Sequence, residues 1–225
     1  MGAGYFGKLA ARADFVVANC PAGFMRLWEP FLMKGLAQSR LDLKEAWEEA
    51  YMTMPVWRFW LTPAQSDSDL GAAVAGAFMP SIDKVGREFP LTVAASAESG
   101  LGGPPSSGWY DKAEDVLLET LEEDATLEAF QSGVKRLDAP DGLNGVFRET
   151  DQVALDAAPG TGEHLISQFR CQAGDRPIEF SCQGLPGASA FQWLILPEQH
   201  KIDGGDEEEE VGGNHGRYHP EDHRT

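Results

Sequence analysis

Cysteine, long apolar runs and positive charge are all scarce in this chain of 225 residues. The three cysteines, Cys20, Cys171 and Cys182, lie far apart and form no CxxC pair, which argues against a disulfide framework or a cysteine metal site. No apolar run approaches the roughly 18 residues that a membrane helix needs. Residues 1–15 lack the basic start and apolar core of a signal peptide. We therefore expect a protein of the reducing cytoplasm.

Lysine and arginine number 18 against 36 aspartate and glutamate residues, which gives a formal net charge of −18. The acidity is concentrated in the second half. Residues 1–100 carry 9 basic and 11 acidic side chains, whereas residues 101–225 carry 9 and 25. Because an acidic surface repels phosphate groups, we expect no binding to nucleic acid or to anionic membranes.

Hydrophobic periodicity predicts an α/β protein. A capping-box-like pair, Asp42 and Glu45, predicts the start of a second helix directly after the first. Residues 164–171 fit a helix or a strand equally well. The predicted helices cover residues 21–39, 42–54, 109–122, 124–137 and 188–196. The predicted strands cover residues 4–9, 56–61, 71–79, 90–97, 153–156 and 178–182.

A single domain is predicted over residues 1–198, in which a Gly-, Pro- and Ser-rich connection joins residues 1–98 to residues 109–198. The composition changes after residue 198. The last 27 residues show no apolar period, six acids between Asp203 and Glu210, and five glycines. Such a segment cannot bury enough apolar surface to fold, so we predict a disordered acidic tail.

Two motifs suggest ligands but lack the context that such ligands need. Residues 2–8 match both GxGxxG and GxxxxGK, yet no strand leads into them and Leu9 stands where a P-loop has Ser or Thr. His215, His219 and His223 have helical spacing, but the glycine and proline between them disfavour a helix. We therefore expect no cofactor and no metal.

The stretch 76–91 is a charged connection between two strands whose small apolar residues predict burial on both faces. Its polar side chains are confined by Pro80, Gly86 and Pro90. A restricted, charged connection of this length is more often functional than a plain loop. A solvated loop fits the pattern equally well. The polar side chains are Ser81, Asp83, Lys84, Arg87 and Glu88.

Arg58 lies among bulky apolar residues of the strand predicted at 56–61. A buried guanidinium needs a carboxylate or several carbonyl groups, and Asp83 and Asp14 are the candidate partners. Alternatively, Arg58 points outward from an edge strand.

Four segments of the chain occur in an order that resembles one protein family. They are GYFGKLAARADFV from Gly4, KGLAQSR from Lys34, AWEEAYMTMPVWRF from Ala46 and GAFMPSIDKVGREFPLTVAA from Gly76. Together they resemble the type VI secretion-associated family called TagF or ImpM, over residues 4–97 and less strongly through a GLP turn at 184–186.

The first segment departs from the family pattern GKLPxxGDF at Ala10 and Ala13. The lost glycine indicates a turn before Asp14 that needs no positive φ or accepts mild strain. The resemblance implies a single domain with a mixed β-sheet and helices on both faces, a three-layer αβα sandwich. It also implies a cytoplasmic, non-enzymatic accessory protein of a Gram-negative contractile secretion apparatus.

Members of that family are described as post-translational repressors that act with an FHA-domain scaffold component, and no catalytic residues come with the resemblance. We expect a recognition surface formed or supported by clustered charges, because such charges need partners within the fold or in another protein. An internal salt-bridge network would look the same in sequence. The candidate residues are Lys8, Arg12, Asp14, Arg58, Ser81, Asp83, Lys84 and Arg87.

Two alternatives stay open. A hydrolase would use Ser81 or a buried acid, with His164 or His200 brought close by the fold. A small-molecule sensor would need an apolar pocket with a few convergent polar groups beside the Ser81 and Asp83 loop. A separate hypothesis gives the acidic tail a role in competing for the Arg-rich loops of the FHA partner.

Overall fold

The computed structural model describes residues 2–63, 70–97, 103–140 and 165–197. The strand predicted at 153–156, His164 and the acidic tail lie outside them. The strands are β1 Gly4–Gly7, β2 Val16–Ala18, β3 Trp57–Pro63, β4 Val74–Met79, β5 Leu91–Ser96, β6 Leu165–Ala173 and β7 Arg176–Gln183. The α-helices are α1 Phe24–Leu43, α2 Trp47–Met52, α3 Ser107–Leu118, α4 Leu127–Lys135 and α5 Phe191–Ile195.

The strands form one seven-stranded sheet in the order β2-β1-β5-β4-β3-β6-β7, and every neighbouring pair is antiparallel. The expectation of a mixed sheet is therefore wrong. The connections 64–73 and 80–90 are shorter than the crossover of a dozen or more residues that parallel neighbours require. Strand β4 therefore pairs directly with β3, and β5 with β4, in the antiparallel direction.

Two hydrophobic clusters occupy opposite faces of the sheet, as alternation along β4 shows. Val74 and Phe78 belong to the first cluster, with side chains of α1, α2 and α5. Ala75 and Ala77 belong to the second, with side chains of α3 and α4. All residues of β4 are buried, as are the first five of β5. This confirms the prediction of strands that are buried on both faces.

The first helix begins three residues later and ends four residues later than the sequence predicted, and the predicted capping box does not form. Asp42 lies inside the last turn of α1, where it accepts a hydrogen bond from Gln38 (2.8 Å). The break follows two residues later at Lys44, whose φ of 49° is outside the helical region. A short 3₁₀ turn then leads into α2.

The second half contributes β6, β7 and α5 to the same sheet and first cluster. The ambiguous stretch after residue 164 is the strand β6, and burial alternates along it because one face covers the first cluster while the other is exposed or half-buried. The Trp57 indole donates to the carbonyl of Leu194 (2.7 Å), which fastens α5 to β3. Among the described residues, no helix is long and apolar enough to cross a membrane.

Candidate functional site

One end of the sheet collects most of the charged residues that the sequence singled out. The register places the start of β3, the end of β4, the start of β5 and the end of β6 at the same end. Strand β1 ends there as well, because Phe6 pairs with Thr92 near the start of β5. We call this the loop end. Its main parts are residues 8–15 and residues 80–90.

Asp83 is the centre of the loop end. Its carboxylate is fully buried, and Oδ2 accepts from Lys8 Nζ (2.9 Å) and Arg87 Nε (2.7 Å). Oδ1 accepts from the backbone N–H groups of Val85 (3.0 Å) and Arg87 (2.9 Å). The last two bonds close a turn in which Gly86 adopts a φ of 82°, a conformation that glycine accepts without strain. A single carboxylate thus fixes both the shape of this loop and its link to β1.

The charge state of Asp83 follows from these contacts. Burial alone raises the pKa of a carboxyl group, because it disfavours the charged form. The hydrogen bonds from Lys8, from Arg87 and from the Val85 amide outweigh that effect, and they hold the pKa of Asp83 well below its usual range. Asp83 is therefore an ionised structural acceptor at neutral pH.

Ser81 joins the loop to two further elements. Its hydroxyl donates to the carbonyl of Lys8 (2.9 Å). The buried Tyr51 of α2 uses its hydroxyl twice on the Ser81 backbone, donating to the carbonyl oxygen (2.9 Å) and accepting from the N–H (3.0 Å). Tyr51 was missed in the sequence because it falls on the apolar stripe of its helix. A tyrosine on such a stripe is the signal that could have revealed it, because a buried phenol usually finds a hydrogen-bond partner.

The two loops also bind each other through their backbones. The N–H of Lys84 donates to the carbonyl of Arg12 (2.9 Å), and the guanidinium of Arg87 donates to the carbonyl of Ala13. No positive φ occurs at Ala13, so the turn before Asp14 accommodates alanine where the family pattern has glycine. The side chains of Arg12, Asp14 and Lys84 are exposed.

Apolar side chains surround these charges on the outside. Phe15 is 46% exposed, stacks on Phe6 and meets Phe89 edge-on, with the Lys8 ammonium 5.3 Å from its ring centroid. Val85 is 65% exposed at the tip of the loop. The loop end therefore presents cations and apolar groups together on a framework that buried hydrogen bonds hold in place.

Arg58 does not belong to this network, and the predicted pairing with Asp83 or Asp14 is wrong. Its guanidinium binds Glu114 through Nε (2.8 Å) and Nη2 (2.6 Å), and Asp111 through Nη2 (2.8 Å). Burial lowers the pKa of Arg58, but the two carboxylates raise it more, so the guanidinium stays charged. Both partners lie on α3, which packs across the β3 to β5 part of the sheet. Arg58 also lies in an interior strand rather than on an edge.

A second contact that the sequence did not reveal ties α1 to the loop end. Arg40 binds Glu88 (3.0 Å) and lies over the Trp47 ring, with its guanidinium carbon 4.0 Å from the centroid. Helical spacing alone indicates which face of α1 is buried, but not which loop meets its C-terminal end.

The other described residues provide few groups that could act as a nucleophile or bind a metal. Burial raises the pKa of the Cys20 and Cys182 thiols to about 11 and that of Cys171 to about 12, so all three are neutral near pH 7. No group of three His, Cys, Asp or Glu side chains in the described ranges could hold a metal. A cleft of about 470 Å³ between Pro55, Gly174 and Leu196 contains none of the predicted site residues.

Comparisons with known proteins agree with this architecture. Residues 4–137 match the TagF N-terminal domain, described as type VI secretion system-associated. A solved structure is similar as well, namely the crystal structure of PA0076 from Pseudomonas aeruginosa PAO1 at 2.05 Å resolution. It shares 34% identity and a TM-score of 0.71, over 91% of this chain and 98% of that one. No curated protein matches the chain.

The match over residues 4–137 places this antiparallel α/β protein in a type VI secretion system-associated class. More specifically, the chain belongs to the family of the TagF N-terminal domain. The resemblance drawn from four sequence segments is confirmed, and the matched region extends beyond them through α4.

Proposed function

We propose that this chain is a non-enzymatic, cytoplasmic regulator that represses type VI secretion assembly by binding an FHA-domain scaffold component. Membership of a type VI secretion-associated family carries the proposal. The loop end is the surface that we assign to the partner.

The chemistry of the loop end suits a protein partner. Interfaces are enriched in arginine and aromatic residues, with apolar contacts inside a polar rim. Here Phe15 and Val85 supply exposed apolar area, and Arg12, Lys84 and Arg87 supply cations. The buried bonds around Asp83 already fix both loops, so binding requires less ordering and retains more of its free energy.

The interior of the loop end favours scaffolding over catalysis. The Ser81 hydroxyl is only slightly accessible, since the residue is 8% exposed, and it donates to the Lys8 carbonyl. A carboxylate as strongly stabilised as Asp83 is a weak base. His164 and His200, the histidines considered for a hydrolase, lie outside the described residues. The hydrogen bond of Ser81 and the stabilised charge of Asp83 support binding rather than hydrolysis at this loop.

The proposal includes the organisation of the whole chain. The helices on the two faces and the sheet between them would form the three-layer αβα domain, with residues 199–225 as an acidic tail outside that domain. A tail of this composition repels phosphate and adds no apolar surface.

Co-purification from the native organism tests the proposal. Recovery of scaffold proteins of the secretion system, among them the FHA-domain component, is the expected result. Recovery of none of them would refute the proposed function.

A charge-reversed variant then tests the surface. Arg12→Glu with Lys84→Glu should weaken binding to the purified FHA-domain component at least about tenfold by calorimetry, because both side chains are exposed cations of the loop end. The matched control is Lys112→Glu with Lys135→Glu, exposed lysines of α3 and α4, which should bind as the unmodified chain does. Equal affinities for the two variants would show that the partner uses another surface.

A further inference from the structure

The described chain ends at the loop end. Its last residues, Leu196 and Pro197, line the cleft beside Ala173, the last residue of strand β6, and Gly174, which follows it. By the strand register, the end of β6 lies at the same end of the sheet as the loop 80–90. The segment that follows Pro197 therefore starts at the same end of the sheet as the surface assigned above to a partner.

The distance to be covered is short. Strand β4, where the loop 80–90 begins, is two positions from β6, and β5, where it ends, is three positions away. At about 4.8 Å per strand, these separations are about 10 and 14 Å. Six residues lead from Pro197 to Asp203 and can span at most about 20 Å, and thirteen lead to Glu210 and can span at most about 45 Å. The chain between Pro197 and the acidic run is therefore long enough for that run to reach the loop 80–90.

The charges of the two parts are complementary. The exposed charged side chains of residues 8–15 and 80–90 are the cations Arg12, Lys84 and Arg87 and the carboxylate Asp14. The half-buried Glu88 is already paired with Arg40. Six acids between Asp203 and Glu210 lie within a span of eight residues. In a chain of net charge −18, these exposed cations form a local surface to which that run is attracted.

We propose that the acidic run 203–210 binds the loop end of its own chain and covers Arg12, Lys84 and Arg87. The competition that follows rests on the proposed function, because the same surface would receive the partner. A tether of this length gives an effective concentration on the order of millimolar, so a contact with a dissociation constant below about 1 mM is occupied more than half of the time. Screening by salt weakens it, since the charges involved are exposed.

Carbodiimide cross-linking of the full chain tests the contact without any partner. This reagent joins an amine to a carboxylate only when the two touch, so mass spectrometry of the monomer should find Lys84 linked to residues 203–210. The control amine is Lys112, an exposed lysine on α3. We expect at least about five times more of the Lys84 product in low salt, and loss of that preference near 1 M salt, where the screening length is about 3 Å.

Cross-linking a mixture of unlabelled and heavy-isotope chains distinguishes a tail bound to its own chain from a tail bound to a second copy. Cross-linked peptide pairs that are both light or both heavy support the proposal. Mixed products would place the tail on a second copy and overturn it, and equal yields at Lys84 and Lys112 would overturn it as well.

The competition has its own readout. Replacing all six acids between Asp203 and Glu210 by the corresponding amides leaves no carboxylate in the run. This variant should abolish the Lys84 product and tighten binding of the FHA-domain component several-fold. Unchanged affinity, with the cross-link present in the parent chain, would refute competition but leave the proposed partner intact. Absence of partner binding in every variant would instead refute the proposed function.

Discussion

Replacing Tyr51 by phenylalanine removes one oxygen atom from the interior and tests whether α2 holds the loop end. The phenol is fully buried, and its two hydrogen bonds both go to the backbone of Ser81. Burial raises the pKa of Tyr51, so the group is a neutral phenol at any ordinary pH. Because phenylalanine keeps the ring, any change reports the hydroxyl alone.

The size of the effect follows from what remains after the oxygen is gone. The Ser81 carbonyl keeps a second donor, the N–H of Phe89 at 3.0 Å. The Ser81 N–H loses its partner and stays buried, which costs about 1–3 kcal/mol. We therefore expect a loss of about 2 kcal/mol in the free energy of unfolding. For a domain of this size the midpoint of thermal unfolding should fall by about 4–8 °C.

Urea unfolding followed by tryptophan fluorescence measures this loss, as a lower midpoint with an unchanged slope. Tyr5→Phe is the matched control. Its hydroxyl accepts from the half-buried side chain of Gln131 (2.7 Å), which can turn to water, so the loss should stay below about 1 kcal/mol. Equal losses in the two variants, or a loss below about 0.5 kcal/mol for Tyr51→Phe, would refute the reasoning.

Three further predictions concern charge and packing. Asp83→Asn should lower the free energy of unfolding and make it depend less on pH at acidic pH. In the unmodified chain, the stabilisation from Asp83 is complete above the unfolded carboxyl pKa of about 3.9 and declines as pH falls below it. An unchanged pH dependence in urea titrations at several acidic pH values would contradict this. Double-mutant cycles should give a coupling energy of about 0.5–1 kcal/mol between Arg58 and Glu114, since both are partly exposed, and none between Arg58 and Asp83. A larger coupling energy between Arg58 and Asp83 would restore the pairing inferred from the sequence. Gly35→Ala should lower the free energy of unfolding by about 1–3 kcal/mol, because the added Cβ would lie 2.1 Å from a buried phenylalanine ring of α5. Gly108→Ala, with open space around it, should not destabilise in the same urea assay.

Sequence patterns located the secondary structure well where the periodicity was strong. The order of two helices, three strands and two helices is confirmed, because apolar spacing reflects the face that each element buries. Boundaries were less certain. Asp42 and Glu45 match a capping box, yet α1 continues past Asp42 until the chain turns at Lys44. A helix that its preceding turns already stabilise can continue past a local signal for the start of the next helix.

Partners of charged residues could not be predicted in the same way. The sequence indicated that Asp83 needs a partner but not which one. Its partner Lys8 is 75 positions away and reaches it only because β1 and β5 are neighbours. Arg58 was assigned to the wrong carboxylates for the same reason. Its partners Glu114 and Asp111 lie on the exposed or half-buried side of α3, where acids are ordinary and carry no signal.

The sequence by itself determined the composition, the family and the two buried strands that flank the charged stretch 76–91. Each of these depends on residue identity or on local spacing, which the chain carries before it folds. The tertiary structure alone decided the antiparallel order of the sheet, and with it which loops meet at one end. Strand order is set by how the two apolar faces are jointly covered, and this depends on contacts far apart in the chain. That order brings Lys8 and Asp83 together and assigns Arg58 to α3.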